Sequence, residues 1–366
     1  MPDNRNRIIP IASTVIILCV IITLIANLGR NSGGKTVTAG FIMNGDSDGS
    51  GWDTLHYEGL EKACRNLHVK LTVKQNVPWD SNDCLDAVRQ LAKGGANLIV
   101  LSSMGYSNKL EKSLDRYKKI TFYTVDSMLK APNSRFYFLR IYQARYLAGI
   151  IAGLTTRTDR IGYIASMRSN EVNRGINAFT LGVRSVNPLA SVCVSWTGDW
   201  NNRSTEQTAA HQLISRRNVD LLTYHQDDRF IADVAEEAGI WCIGYHIPLE
   251  KASPKYLTCI SYDWSIVFDE LLKKYIKETD SDKTVIWPGL EQGAVYLTRY
   301  SSDVSERARD AVLDAKMRIL QGQDVFSGLI YDNHGVKRCD EQESISDAEL
   351  LNQMNWFVEG VVFYDN

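Results

Sequence analysis

From residue 36 onward the chain repeats one phrase, a short apolar run, a polar loop and a helical pattern, and this constrains the fold more than any other feature. Strands that alternate with helices along the chain pair in parallel and join through right-handed crossovers, so the expectation is an α/β protein with parallel sheets. Strands are predicted over 37–43, 69–74, 97–101, 120–124, 160–165, 191–196, 221–224, 241–245 and 284–287, with helices such as 53–66, 81–94, 143–155 and 204–216 between them. The phrase restarts midway: GFIMNGDSDGSGWDTLHYEGLEKACRNL (40–67) is echoed by IGYIASMRSNEVNRGINAFTLGVRSVNP (161–188), after a stretch of small residues at 147–154. A chain of 366 residues has room for two such lobes, and a cleft between them is the natural place for a ligand. The expected division is 36–140 plus about 259–290 for the first lobe, and 141–258 plus about 291–366 for the second.

The first residues read differently. Residues 8–28 carry no charge and are long enough to span a bilayer, while Arg5 and Arg7 precede them, so an uncleaved single-pass anchor is expected, with the main domain extracytoplasmic. A cleaved signal peptide is the nearest alternative, since Ala26 and Gly29 are small enough for a cleavage site. Leu18 before Cys19 argues against lipid attachment. Residues 1–35 are thus expected to be anchor and tether.

Several chemistries are set aside by the residues themselves. A net charge of −2 with no basic run gives nucleic acid no footing. Seven cysteines without a CxxC pair suggest small buried hydrophobes, with disulfide pairing left open. GRNSGGKT (29–36) matches the phosphate-loop pattern, but it follows the apolar segment and precedes a strand, the reverse of the required context. Asp46, Asp48, Ser50 and Gly51 begin like a calcium loop, yet the twelfth position is Tyr57 instead of a bidentate glutamate. His225, His246 and Cys242 lack metal-ligand spacing. There is no Gly-x-Ser-x-Gly, HExxH or dinucleotide glycine motif, so neither an enzyme nor a bound cofactor is expected.

The loops after strands carry the candidate site. Trp52 in GSGWD and Trp200 in TGDWNN occupy corresponding polar loops, one in each half, and two indoles facing across a cleft could sandwich a flat ring. YHQDDR (224–229) places His225, Gln226, Asp227 and Asp228 at the second mouth as donors and acceptors for hydroxyls and ring nitrogens, with a helix cap as the alternative use of an aspartate.

Four segments, GWDTLHYEGLEKA, YLAGIIAGLTTRTDRIGYIA, NRGINAFTLGVRSVNP and the terminal MNWFVEGV, resemble in order and spacing the basic membrane protein family of bacterial solute-binding proteins, which includes purine nucleoside receptors of ABC transporters. The resemblance implies a type I periplasmic-binding fold, two Rossmann-like lobes hinged by three crossings. It also implies that the aromatic of a Ser-Phe-Asn triplet stacks on the nucleobase; here the triplet is Gly51, Trp52, Asp53. An acidic residue of many relatives becomes Met43 or Asn44, a later carboxylate aligns near His246, and a lysine aligns near Tyr262. The reading is therefore an extracytoplasmic ABC-transporter receptor for a nucleoside-like ligand, purine nucleoside favoured, acting as a monomer with a membrane permease and no nucleic acid. Trp52 and Trp200 are expected to stack, Asp53, Asp126, Gln226 and Asp228 to take hydroxyls, and the loops at Gly45 and Ser102 to offer amides. Asn44, Ser103, Met167, His225 and His246 complete the expected shell. A sensor domain signalling to a membrane partner is the alternative, and a nucleoside-processing enzyme a third.

Overall fold

The computed structural model describes residues 36–49, 51–129, 131–246, 248–281 and 285–364. The anchor and phosphate-loop expectations for 1–35 lie outside them; among the described residues no helix is long and apolar enough to cross a membrane. The first pass of the chain runs β1 (Thr38–Ile42), α1 (Trp52–Asn66), β2 (Lys70–Lys74), α2 (Asp83–Lys93), β3 (Leu98–Leu101), α3 (Gly105–Leu110), β4 (Thr121–Thr124) and β5 (Ser134–Tyr137). A second begins with α4 (Ile141–Thr155), β6 (Arg160–Ala165), α5 (Asn170–Val186), β7 (Ser191–Trp196), α6 (Arg203–Arg217) and β8 (Leu221–His225). It continues through α7 (Phe230–Glu237), β9 (Trp241–Tyr245) and β10 (Tyr256–Tyr262). The chain then returns with α8 (Trp264–Ile276) and β11 (Val285–Ile286), and finishes with β12 (Val295–Leu297), α9 (Glu306–Leu320), β13 (Ile330–Tyr331), β14 (Lys337–Cys339), α10 (Asp347–Asn352) and β15 (Val361–Phe363).

Among the described residues, the first sheet has the order β11-β5-β4-β3-β1-β2, with every pair parallel. The second has the order β12-β10-β9-β8-β6-β7-β15, parallel except where β12 runs against β10. Each sheet reverses direction of growth at one place, between β1 and β3 in the first and between β6 and β8 in the second. Loops at such switch points diverge and leave a crevice at the carboxyl ends of the strands.

Three crossings join the lobes, after β5, after β10 and after β11, and they lie side by side: the Arg140 N–H donates to the Pro288 carbonyl (2.9 Å) and the Asp263 N–H to the Ala294 carbonyl (2.9 Å). The second crossing falls at Tyr262–Asp263, because β10 stays paired with β9; the expected boundary near 259 would cut that strand. β5 and β10 were absent from the predicted strands, and both end in crossings.

Packing follows the sequence periods. On α2, Cys84, Ala87, Val88 and Leu91 recur at helical spacing and cover Ile42, Ile99 and Phe122 of the first sheet. Burying side chains of this kind stabilises by about 1.5–3 kcal/mol each. The small residues of α4 have a different purpose. A Cβ on Gly149 would sit 2.1 Å from the Phe179 carbonyl oxygen, and one on Gly182 2.0 Å from that of Tyr146, so α4 and α5 meet backbone to backbone. The six described cysteines, Cys64, Cys84, Cys193, Cys242, Cys259 and Cys339, are all free and buried.

Candidate ligand-binding cleft

At the first mouth, the loop from β1 turns through Asn44–Gly49 and enters α1 at Trp52. Asp53 fixes that loop. Its Oδ2 accepts the Gly45 N–H (2.7 Å) and its Oδ1 accepts the Ser102 hydroxyl (2.8 Å). Burial raises the Asp53 pKa, and these hydrogen bonds oppose the rise. The Trp52 indole is pinned by its edge, with Nε1–H donating to the Ser102 carbonyl (2.8 Å). Around it stand His56 (4.4 Å between centroids), Trp264 (5.3 Å, edge-on), Phe138 (5.8 Å) and Tyr262 (6.4 Å, edge-on). His56 is fully buried and neutral: burial drives its pKa down to about 3, and Nδ1 lies 3.1 Å from the Trp52 carbonyl. That carbonyl can only accept, so Nδ1 carries the proton.

The second mouth is built from buried titratable side chains. His225, at the end of β8, places Nε2 3.2 Å from Glu171 Oε1 at the start of α5. Burial and the Arg145 charge lower the His225 pKa to about 4, while burial alone would raise that of Glu171 and the neighbouring His225, Arg174 and Arg145 bring it below the ordinary carboxylate range. A neutral imidazole beside an ionised carboxylate presents Nε2–H as the donor. His246, just past β9, is buried with φ of 68°, a left-handed conformation that few non-glycine residues adopt. Its backbone is clamped by β10, through its N–H to the Ile260 carbonyl (3.0 Å) and the Ser261 hydroxyl to its own carbonyl (2.8 Å). Its ring bonds Tyr262 through Nδ1 and faces Asp227 Oδ1 at 3.5 Å through Nε2.

The two mouths touch at Gly51. A Cβ on Gly51 would lie 2.3 Å from the Asp227 carbonyl oxygen, and Gly51 itself has φ of 75°. The cleft is therefore closed there, in a contact that only glycine permits. From Asp227 the contacts run through His246 to Tyr262, which ends on the second crossing, and Trp264 beyond it packs against Trp52.

The expected residues lie at or beyond the carboxyl ends of strands, in unequal roles: those after β1, β3, β6 and β8 stand at the switch points, whereas Asp126, Trp200 and His246 follow β4, β7 and β9. Gln226 is fully buried, and its amide is occupied by the Asp199 and Trp200 carbonyls and the Thr197 hydroxyl, so it shapes the Trp200 loop. The ring of Trp200 meets His225 edge-on at 6.0 Å and makes no ring contact with Trp52 among the described residues. Asp228 accepts from the Arg229 N–H (3.1 Å) and from Asn201 Nδ2 (3.4 Å), and gives α7 no side-chain cap. Asn44 takes the Trp79 N–H (3.2 Å), Ser103 the Gly105 N–H (3.2 Å) and Asp126 the Met128 N–H (2.8 Å). Met167 lies half-buried just after β6. Asp46 is held by Asn76 Nδ2 (2.6 Å), and among the described residues no group of His, Cys, Asp and Glu is arranged to hold a metal.

Sequence reasoning missed Arg145, Glu171 and Tyr245. Arg145 had a visible signal, a single charge inside the otherwise uncharged stretch 141–156. Glu171 and Tyr245 had none, since their roles depend on β6, β8 and β9 being neighbours.

Known proteins resemble this chain over most of its length. A family model described as ABC transporter substrate-binding protein PnrA-like matches residues 36–324. A putative ABC transporter glucose-binding protein of Haloferax volcanii is 29% identical over 335 residues, covering 91% of this chain and 82% of that one. A purine-binding protein of Brucella abortus is 29% identical over 331 residues, covering 89% and 93%. Among solved structures, a solute-binding protein of an ABC transporter from Aeropyrum pernix superposes with a TM-score of 0.67 at 16% identity, covering 78% of this chain and 92% of that one. One from Conexibacter woesei gives 0.61 at 20% identity, covering 78% and 97%. At these identities the structures speak for the fold.

Proposed function

Because the chain belongs to the PnrA-like family of ABC transporter substrate-binding proteins, which are extracytoplasmic solute carriers and not enzymes, we propose that its cleft captures a purine nucleoside and hands it to a membrane permease. The observation that carries the reading is the Trp52 indole, held by its edge to Ser102 at the first mouth and facing the side of the cleft where Tyr262, His246 and Asp227 lie. A flat base stacks on the indole, a contact of about 1–3 kcal/mol by analogy with nucleic-acid sites. The ribose hydroxyls reach the polar groups of the second lobe. Closure brings the two halves together, and ligand shifts the open–closed balance by its extra affinity for the closed state.

The purine-binding relative supports the base, and the glucose-binding relative supports a polyol half that is common to both ligands. Residues 8–28 tether the domain to the membrane, and the receptor works as a monomer. The sensing alternative finds no support in a family of transport proteins.

Calorimetry with adenosine, guanosine, inosine, free adenine and glucose tests the proposal. Nucleosides are expected to bind tightest, quenching tryptophan fluorescence, and Trp52→Ala to weaken them. Glucose binding as tightly as any nucleoside, or nucleoside binding unchanged in Trp52→Ala, overturns it.

A further inference from the structure

Arg145 is a cation with no exposed surface, on a helix whose buried residues are otherwise uncharged. Placing a charge there costs several kcal/mol unless it is compensated. The compensation is incomplete: Nη1 donates to the Tyr224 carbonyl at 3.3 Å, Nε and Nη2 make no hydrogen bond of ordinary length, and among the described residues no carboxylate pairs with the guanidinium directly. What it touches is the floor of the second mouth. The guanidinium carbon lies 4.1 Å from the centre of the Tyr245 ring and 5.5 Å from that of Tyr163. Its stem uses the space left by Gly175, where a Cβ would approach Arg145 Cδ at 2.9 Å, Nε at 3.0 Å and His225 Nδ1 at 3.4 Å.

Tyr245 passes this placement on. Its ring meets His246 at 3.7 Å and His225 at 4.9 Å, so one arginine lies behind both histidines. We infer that Arg145 is a positioning residue for ligand capture: from beneath the cleft it holds Tyr245, His246 and the Glu171–His225 pair in the arrangement that closure requires, without touching ligand. The ligand half of this inference rests on the nucleoside reading above. The charged and titratable groups facing the two histidines are Glu171 and Arg174 from α5, Tyr245 from β9 and Asp227 from the loop after β8. Tyr262 from β10 and His56 from α1 complete the set. Within it the Arg145 charge disfavours protonation of both imidazoles.

The test is Arg145→Met, read in two ways. Without ligand, NMR titration of the imidazole nitrogens is expected to show His225 and His246 taking up protons at higher pH than in the native chain, by about one unit. With adenosine as probe, affinity at pH 7 is expected to fall about tenfold, and the pH at which binding is half lost to move upward. Arg145→Lys restores charge but not the flat stacking on Tyr245, and is expected to recover the titration more than the affinity. Unchanged imidazole titration together with unchanged adenosine affinity in Arg145→Met overturns the inference. If that variant fails to fold, Arg145→Met with Glu171→Gln removes both buried charges, a change that cores tolerate. That double variant is expected to fold and still bind adenosine about tenfold more weakly; native affinity in it overturns the inference. If the native chain binds no nucleoside, the nucleoside reading falls, and the ligand-free titration still decides the role of Arg145.

Discussion

The two mouths of the cleft are built on different charged groups. At the first, Asp53 is the central charge, and both of its oxygens are used inside the loop, on Gly45 and Ser102, so the surface left for a ligand is the Trp52 ring. At the second, His225 Nδ1, the Tyr245 hydroxyl and two Arg145 nitrogens are buried without a hydrogen-bond partner, beside carboxylates that face imidazoles. The first mouth's carboxylate has completed its hydrogen bonds, while His56 Nε2, Thr54 Oγ1 and Trp264 Nε1 are buried beside it without a partner. The second mouth keeps hydrogen-bonding capacity in reserve at a cost in stability, a state that persists where function uses it. On the nucleoside reading proposed above, the difference divides stacking and hydroxyl recognition between the lobes.

Acid is expected to have the largest effect. His225 titrates near 4 and His56 near 3 in the folded chain, against 6.5 for an ordinary histidine. Between those values the unfolded chain holds more protons, so stability rises with pH: the contribution is complete above about 6.5 and is lost as pH falls toward 4. Two such histidines together remove about 4 kcal/mol by pH 5. Glu171, whose pKa is lowered, adds a loss in the same direction below about 4.5. Urea melts at pH 7, 6 and 5 read this slope, and His225→Gln should flatten it. A slope unaffected by that substitution would place the acid sensitivity elsewhere than the second mouth.

Gly51→Ala ranks next, because it blocks the meeting of the mouths. Its Cβ falls 2.3 Å from the Asp227 carbonyl oxygen, at a φ of 75° that alanine resists. Nucleoside affinity is expected to drop about a hundredfold, near 3 kcal/mol, with small-angle scattering showing an opened molecule. Native affinity would mean that closure at this contact is not part of binding.

Much of this division was legible in the sequence, for a physical reason. The strand–loop–helix phrases around 40–67 and 161–188 fix parallel strands and their carboxyl-end loops locally; His225 and His246 lie just past predicted strands, and Trp52 lies at the far end of the loop after the first. What could not be read depends on strands distant in sequence. β10 joins the second sheet between β9 and β12, and the left-handed backbone of His246 is held by its pairing with β9. Asp53 is read as a ligand group from its place in the triplet that the resemblance implies; its bond to Ser102, just past β3, becomes visible only when the sheet forms.

Trp52→Ala comes third, with a loss of about 1–3 kcal/mol in nucleoside binding, or roughly 5- to 150-fold in Kd. Trp52→Phe should recover part of it, since the ring survives while the bond to the Ser102 carbonyl does not. Trp200→Ala, removing the indole whose one ring contact among the described residues is His225, is expected to cost less. Equal losses at the two positions would break the asymmetry between platform and polar half.

Asp53→Asn should have the smallest effect and separates the two halves most cleanly. Asparagine offers one acceptor where the carboxylate offers two, so it can keep the Gly45 N–H on its oxygen and must turn the Ser102 hydroxyl from donor to acceptor. Exchanging these bonds costs about 0.5–1.5 kcal/mol, seen as a modest fall in Tm. If Asp53 only fixes the loop, the ranking of adenosine, guanosine and inosine stays as in the native chain while all three weaken together. A reordered ranking would mean that Asp53 reads the base edge, and the first lobe would then supply selectivity as well as a stacking surface.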